Sequence, residues 1–280
     1  VFARERYIGI GSEKSLSFFA KKFLINLSIL VSKMLYKLAD KVLPVCRFNT
    51  VWERIFGVEE EKIKVIYNGV DPEVFKPKPK PQKNQGIPTV VAAARIMPLK
   101  DIETMIKSCA IVREEIPNVK FIVYGSLDVD PLYTRKCQLL IKQLKLEDNF
   151  ILAGHHPNPS EIYNEGDISV LSSISEGFPY TVIESMACAR PVVATDVGGV
   201  REALEGFGII VRPRDPKALA EGIIKLLTDH ELRETLGRRA REEVLAKYRI
   251  NSTIEEYKKS YFEAIQKLKV DEREELSVKY

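Results

Sequence analysis

The chain has 280 residues, 45% hydrophobic and 29% charged, with 15 Gly and 15 Pro, a balance that excludes a collagenous or largely disordered protein. At roughly 100 to 200 residues per domain, this length suits one large domain with appendages, and two full-sized ligand-binding domains would fit only tightly. The 43 Lys and Arg against 39 Asp and Glu leave a net charge of +4, too small for a dedicated nucleic-acid binder.

Residues Leu16–Ala39 read as one amphipathic helix. Phe19, Phe23, Leu27, Leu30, Met34 and Leu38 lie toward one side, and Lys14, Lys21, Lys22, Lys33, Lys37 and Lys41 supply positive charge. Its uncharged stretch, residues 23–32, is about half of the ~20 residues a spanning helix needs, and no small-residue cleavage site follows. We expect this helix to pack on a sheet with its lysines snorkelling, in preference to lying on an anionic membrane. Lys41–Cys46 and Lys62–Tyr67 look like two strands flanking a helix around Thr50–Phe56. Residues 76–88 alternate Lys and Pro before Gly86 and read as an exposed linker. Residues 1–75 would then be a separate partial lobe, since two strands and two helices cannot close a sheet alone.

From Thr89 onward, apolar runs alternate with helical periodicity, as a parallel sheet with crossover helices requires. Candidate strands are Thr89–Ala94, Val119–Tyr124, Asn149–Ala153, Asp167–Leu171, Pro191–Thr195 and Gly208–Arg212, rich in Val, Ile and Phe and therefore expected to be buried on both faces. Asp101 can N-cap a helix carrying Ile102, Met105, Ile106, Cys109 and Val112, while Pro131 and Pro179 suit first helical positions. This is a doubly wound α/β domain over 76–248. Three helical patterns follow the last strands: Pro216–Thr228, Glu231–Lys247 and Ser252–Lys269. A charged tail, not expected to be ordered throughout, ends the chain, and 249–280 is set apart as that last helix and tail. Cys46, Cys109, Cys137 and Cys188 lie far apart with no C-x-x-C pair and read as reduced, mostly buried thiols of a cytoplasmic protein.

The segment Ser175–Cys188 carries the clearest chemistry. Glu176 and Glu184 stand eight positions apart, one in a loop after a strand and one in the second turn of the next helix. Gly177 lets backbone approach a ligand, with Phe178 and Pro179 completing the turn. The helix start near Pro179 aims unsatisfied N–H groups, those of Thr181 and Val182 among them, at the strand ends, which is an anion site. Glu184 could accept both hydroxyls of a ribose diol, and Tyr180 could wall a sugar pocket or simply pack. Gly125 ends a strand, a place that suits either a plain turn or the border of a ligand crevice. Asp128-Val129-Asp130 matches a metal-binding D-x-D, but its place before Pro131 favours turn and N-cap roles, and no metal is expected. No G-x-G-x-x-G follows any candidate strand; Gly9-Ile10-Gly11 lacks the third glycine.

These residues resemble family-4 glycosyltransferases, retaining two-domain enzymes of the GT-B fold. The likeness rests on the E-x7-E segment, on its continuation Ala187-Cys188-Ala189-Arg190-Pro191 to Glu202, on Ala94-Arg95-Ile96-Met97-Pro98-Leu99-Lys100, and on the turn Asn68-Gly69-Val70-Asp71. It covers about residues 40–262. Ala189 and Asp101 stand where the family usually has Gly. The resemblance implies that Arg95 and Lys100 bind a donor diphosphate, that Glu176 serves the reacting sugar, and that Gly154, His155 and His156 line a base pocket through their backbone. The wording Lys100-Asp101-Ile102-Glu103-Thr104, with Arg4-Glu5-Arg6-Tyr7, is closest to the Pel-polysaccharide type, which implies UDP-glucose or another UDP-hexose as donor.

The expected function is therefore metal-independent, retaining transfer of a hexose from a nucleotide sugar to a polysaccharide or other glycan. Charge growing on the expelled diphosphate would be met by Arg95, Lys100 and the helix N-terminus. The alternative is a non-catalytic nucleotide-sugar-binding half, or a remnant, because the N-terminal stretch reads as the end of an acceptor domain whose beginning is not in this chain. Expected partners are the donor, the acceptor, and a separate acceptor domain or membrane-bound polysaccharide synthase components, with no nucleic acid. Peripheral membrane placement of an otherwise cytoplasmic protein stays open.

Overall fold

Six apolar runs form six short strands: β1 (Thr89–Ala93), β2 (Lys120–Tyr124), β3 (Phe150–Gly154), β4 (Ile168–Leu171), β5 (Val192–Thr195) and β6 (Ile209–Val211). All pair in parallel in the order β3-β2-β1-β4-β5-β6, the doubly wound Rossmann arrangement. The computed structural model describes residues 18–278, with side chains described except at 18–22, 25, 83 and 267–278. Arg4–Tyr7, Gly9–Gly11, Lys14 and the expected helix start at Leu16 lie outside the described residues.

β1, β2, β4 and β5 lack alternation because both faces are covered, whereas the edge strand β3 exposes Ile151 and Ala153 and the edge strand β6 is half-buried throughout, which corrects the expectation that all six are buried on both faces. Val90, Ala92, Phe121, Val123, Ile168, Val170 and Val193 pack with Ile102, Met105, Ile106, Cys109 and Val112 of α3 (Ile102–Glu115), Cys137 and Ile141 of α4 (Pro131–Gln143), and Leu219, Ile223 and Leu226 of α8 (Pro216–Thr228). Each such aliphatic side chain contributes about 1.5 to 3 kcal/mol by leaving water. Val91 points the other way, against Gly166, which ends α5 (Pro159–Glu165). A β-carbon on that glycine would stand 2.8 Å from the Val91 side chain. α6 (Tyr180–Ala187) packs against β4, with α9 (His230–Lys247) over it. α5 and α7 (Val200–Leu204) are two further short helices, too short to show a helical period in the sequence. Pro131 is the first residue of α4, whereas Pro179 is the cap residue and α6 begins at Tyr180.

Contacts divide the chain into two compact units, Gly69–Arg249 and the remainder, which joins the described residues up to Asn68 with the helix from Ile250. In the first unit, the Lys-Pro stretch corrects the linker reading. Its side chains at 76–79 are exposed, but its backbone is pinned: Asn164 accepts from Lys78 N–H (2.8 Å) and donates to the Lys76 carbonyl (3.1 Å). Lys80 pairs with Asp167 (2.7 Å), and Arg190 donates to the Lys78 carbonyl (2.8 Å). A run of fixed proline φ angles loses little entropy when strapped down in this way.

The second unit departs from expectation in three places. Lys41–Cys46 and Lys62–Tyr67 form no strands but an isolated parallel bridge between Val42 and Ile63. The ladder runs from Val42 N–H to the Lys62 carbonyl and Lys64 N–H to the Val42 carbonyl, misses the bond that Pro44 has no N–H to donate, and resumes with Ile66 N–H to the Pro44 carbonyl (3.0 Å). α1 (Phe18–Lys37) does not bury its apolar side on a sheet: Phe23, Leu27, Leu30, Met34 and Leu38 are exposed, and Ile29, Ser32, Tyr36 and Ala39 form the more buried face, with Tyr36 stacked on Phe56 just past α2 (Arg47–Ile55). Among the described residues no helix is long and apolar enough to cross a membrane. The tail is not irregular either, since α10 runs Ile250–Val278, a stretch rich in Glu and Lys and without Gly or Pro. Glu256 and Glu263 of α10 pair with Lys64 and Lys41.

All four cysteines are buried and none is in a disulfide among the described residues, and burial pushes the thiols of Cys109, Cys137 and Cys188 up to about 12. Ala189 and Asp101, the two departures from glycine, sit at φ +53° and +45°. Asp101 compensates by accepting from Thr104 Oγ1 (2.7 Å) and Thr104 N–H (3.3 Å), so a short polar side chain holds the left-handed backbone. Ala189 has no such bond to offer. Ala189→Gly should therefore stabilise the protein by about 0.5 to 1 kcal/mol, read as a higher urea midpoint with an unchanged slope.

Candidate functional site

In a parallel sheet every strand delivers its following loop to the same edge, and the strand order reverses between β1 and β4, which opens a crevice there. The loops on either side are tied together. Ile174 N–H donates to the Leu99 carbonyl (3.0 Å), and Ser172 Oγ to the Lys100 carbonyl (2.8 Å). The loop after β5 closes from the far side, Thr195 Oγ1 donating to the Ser173 carbonyl (2.6 Å) and Gly199 N–H to the Gly177 carbonyl (2.6 Å). Gly198 has φ +56°, and a β-carbon on it would lie 2.0 Å from the Glu176 carbonyl oxygen. No other residue fits there.

This lacing brings together Lys100, in the short 3-10 turn Pro98–Lys100 after β1, and Glu176 from the loop after β4. Lys100 Nζ lies 2.5 Å from Glu176 Oε1, and Ser173 Oγ donates to the same oxygen at 2.6 Å. Both ionised side chains are largely buried, at 16% and 12% exposure, so each needs the other. Arg95 lies in the same post-β1 segment, exposed and without a hydrogen bond or ion pair among the described residues. Beside them stands the N-terminus of α6, whose cap residue Pro179 supplies no side-chain bond. Thr181 Oγ1 is buried there without a partner. Val182 N–H, expected to be free, instead reaches back to the Pro179 carbonyl at 3.3 Å.

Glu184, in the second turn of α6, receives a 2.5 Å hydrogen bond from the hydroxyl of Tyr163 on α5. Burial raises the Glu184 carboxyl above its ordinary range, and the Tyr163 bond partly opposes that. Burial, with the neighbouring Glu184 charge, raises the Tyr163 phenol far above its usual value, which keeps it a donor.

At the other side of the crevice, Gly125 N–H donates to the Gly154 carbonyl (2.8 Å). A β-carbon on Gly125 would sit 1.9 Å from the Ala94 carbonyl oxygen, so the ends of β1 and β2 approach as only glycine permits. Gly154 uses φ +74° to turn the chain into His155, which is exposed. His156 stands edge-on to Tyr124, which hydrogen-bonds Glu165 at 2.5 Å. Asp130 accepts from Tyr133 N–H as the N-cap of α4, the role expected of it over metal binding. Phe178 departs from its expected place as a ligand contact: its side chain is 3% exposed and packs on Tyr248 with ring centroids 5.3 Å apart, so only its backbone borders the loop. Tyr180 is half exposed.

Ser173 and Tyr163 were not singled out in the sequence, while Thr195 and Gly198 fall within the quoted continuation to Glu202 without a role of their own. The Ser172-Ser173 pair directly after a strand was a usable signal; Tyr163 had none, because its partner lies 21 residues away across two elements.

The geometry defines a doubly wound domain that gathers a cation, a carboxylate and a helix N-terminus at its switch point. Residues 74–243 match the family described as Glycosyl transferases group 1, and the chain belongs to that family. It is 27% identical over 211 residues to the N-acetyl-alpha-D-glucosaminyl L-malate synthase of Bacillus anthracis, covering 72% of this chain and 54% of that protein. It is 34% identical over 169 residues to the capsular polysaccharide biosynthesis glycosyltransferase CapM of Staphylococcus aureus, covering 60% and 44%. Anabaena Alr3699/HepE, crystallised with UDP-glucose, superposes with a TM-score of 0.75 at 22% identity over 80% of this chain and 64% of that one, a likeness of fold. The chain spans about half the length of the curated relatives it matches.

Two outcomes follow. Because the folded Glu184 carboxyl has a raised pKa, its ionisation favours the unfolded chain at neutral pH, and this penalty disappears once the pH falls below the unfolded value of about 4.3. Glu184→Gln should raise stability near neutrality, with an advantage that shrinks as the solution is acidified through that value; urea midpoints across the range check it. Gly198→Ala should cost about 1 to 3 kcal/mol, since the added carbon must displace the Glu176 backbone, and the same denaturation measurement reads it.

Proposed function

We propose that the protein is a retaining hexosyltransferase of the family-4 kind, moving a hexose from a UDP-sugar to a polysaccharide or other glycan acceptor. The observation that carries this reading is the convergence of Lys100, Glu176 and the α6 N-terminus at the β1/β4 switch point. There Lys100, Arg95 and the backbone of Tyr180 and Thr181 are disposed to receive a diphosphate and to stabilise the charge that grows on it as the sugar departs. Glu184 takes the ribose diol, Glu176 the hexose hydroxyls, and the Gly154–His155 backbone the uracil edge; Gly125 and Gly177 leave room for the donor. We assign charge stabilisation to these groups without a metal, and Asp130 is already committed to capping α4. CapM is named for capsular polysaccharide biosynthesis, which supports a glycan acceptor, and the Pel-type wording supports a hexose of the glucose series.

A second reading is supported by length. Because the chain spans about half the length of its curated relatives, the second reading is that it binds the donor without transferring the sugar by itself.

Titration calorimetry should show UDP binding that Glu184→Ala and Arg95→Ala each weaken by about 1.5 to 3 kcal/mol, the worth of a charged hydrogen bond. No affinity for UDP, GDP or ADP would overturn both readings. UDP release from UDP-glucose by the purified chain, undiminished by a chelator, would support the first reading over the second and dispose of a metal requirement.

A further inference from the structure

One polar contact of the site reaches a residue outside the motif. Tyr163 is 0% exposed, lies on α5 between β3 and β4, and donates its hydroxyl to Glu184 Oε2 at 2.5 Å. Its ring is fixed by Phe75, with centroids 6.2 Å apart, at the start of the pinned Lys-Pro strap. On its other side Asn164 holds that strap through the Lys76 and Lys78 backbone and approaches Cys188 Sγ at 3.7 Å. The phenol therefore cannot swing away. A carboxylate has two oxygens, and Tyr163 occupies one.

We propose that Tyr163 is a positioning residue for the donor: by engaging Oε2 of Glu184 it fixes the carboxylate plane and reserves Oε1 for the two hydroxyls of the donor ribose. This rests on the reading of Glu184 as the ribose ligand. A carboxylate that must accept two hydroxyls gains from being held before the ligand arrives, because its own rotamer freedom need not be lost on binding. The phenol also stabilises the ionised form against burial. The groups that face this pair are few: Cys188, whose thiol is pushed up by burial, and beyond it Arg190 and Arg241, which donate to the Lys78 and Ala187 carbonyls. Among the described residues none of them hydrogen-bonds the Glu184 carboxylate, so Tyr163 is the group that sets it.

The experiment is a double-mutant cycle on the full 280-residue chain, using UDP as the titrant and comparing wild type, Tyr163→Phe, Glu184→Gln and the double variant. Phenylalanine keeps the ring and its packing. Tyr163→Phe should weaken UDP about tenfold near neutrality and shift the acid limb of the binding profile to higher pH, because the carboxylate has lost its donor. In the Glu184→Gln background, Tyr163→Phe should change affinity little, since the residue acts through Glu184. A purely structural role predicts the opposite, equal losses in both backgrounds with an unmoved pH limb, and that result overturns the proposal. Failure of the underlying reading is separate: wild type that binds no nucleoside diphosphate, or UDP binding that Glu184→Gln leaves unchanged, removes the ribose assignment and this inference with it. Should Tyr163→Phe lower the melting temperature, titration well below the transition keeps the comparison between folded proteins.

Discussion

Everything at the site depends on β1 being hydrogen-bonded in parallel to both β2 and β4. Parallel pairing sends every post-strand loop to one edge, and reversal of strand order at β1 keeps the next two loops from covering the gap. The crevice is thus a consequence of sheet topology, before any functional side chain is considered. Hydrogen bonds from Ser172, Ile174, Thr195 and Gly199 then convert three loops into one rigid rim. Gly198 and Gly125 mark where that rim is too tight for a β-carbon.

On this rim the protein holds two carboxylates in different ways. Glu176 is buried but compensated by a lysine and a serine on the same oxygen, so its charge is carried by a local ion pair. Glu184 has a phenol alone, and its pKa stays raised. The first arrangement stabilises a charged loop, and the second leaves a buried carboxylate incompletely satisfied. A group left short of partners in the folded state has most to gain from a ligand that supplies them, which is the usual conflict between stability and function at a binding site.

The second unit presents a different balance. Its described β pairing is one bridge between Val42 and Ile63, thinned by the donor that Pro44 lacks, while the α1 segment leaves Phe23, Leu27, Leu30, Met34 and Leu38 exposed. An apolar stripe of that length is more than scattered surface residues. The same side chains that periodicity groups on one face remain uncovered, because periodicity reports which residues share a face and not whether a partner exists.

By itself the sequence determined the six strands within a residue or two, the capping of α3 by Asp101, the parallel class of the sheet, and the family, through Arg95, Lys100, Glu176 and Glu184. Those features are written in local signals: continuous apolar runs, caps, and spacings within one segment. Tertiary structure alone decided that the Lys-Pro stretch is a strap, that Phe178 turns into the core, that α1 is left bare, and that Tyr163 meets Glu184. Each of these is a contact between residues far apart along the chain, set by which helix crosses which strand, and no periodicity or motif within a segment encodes it.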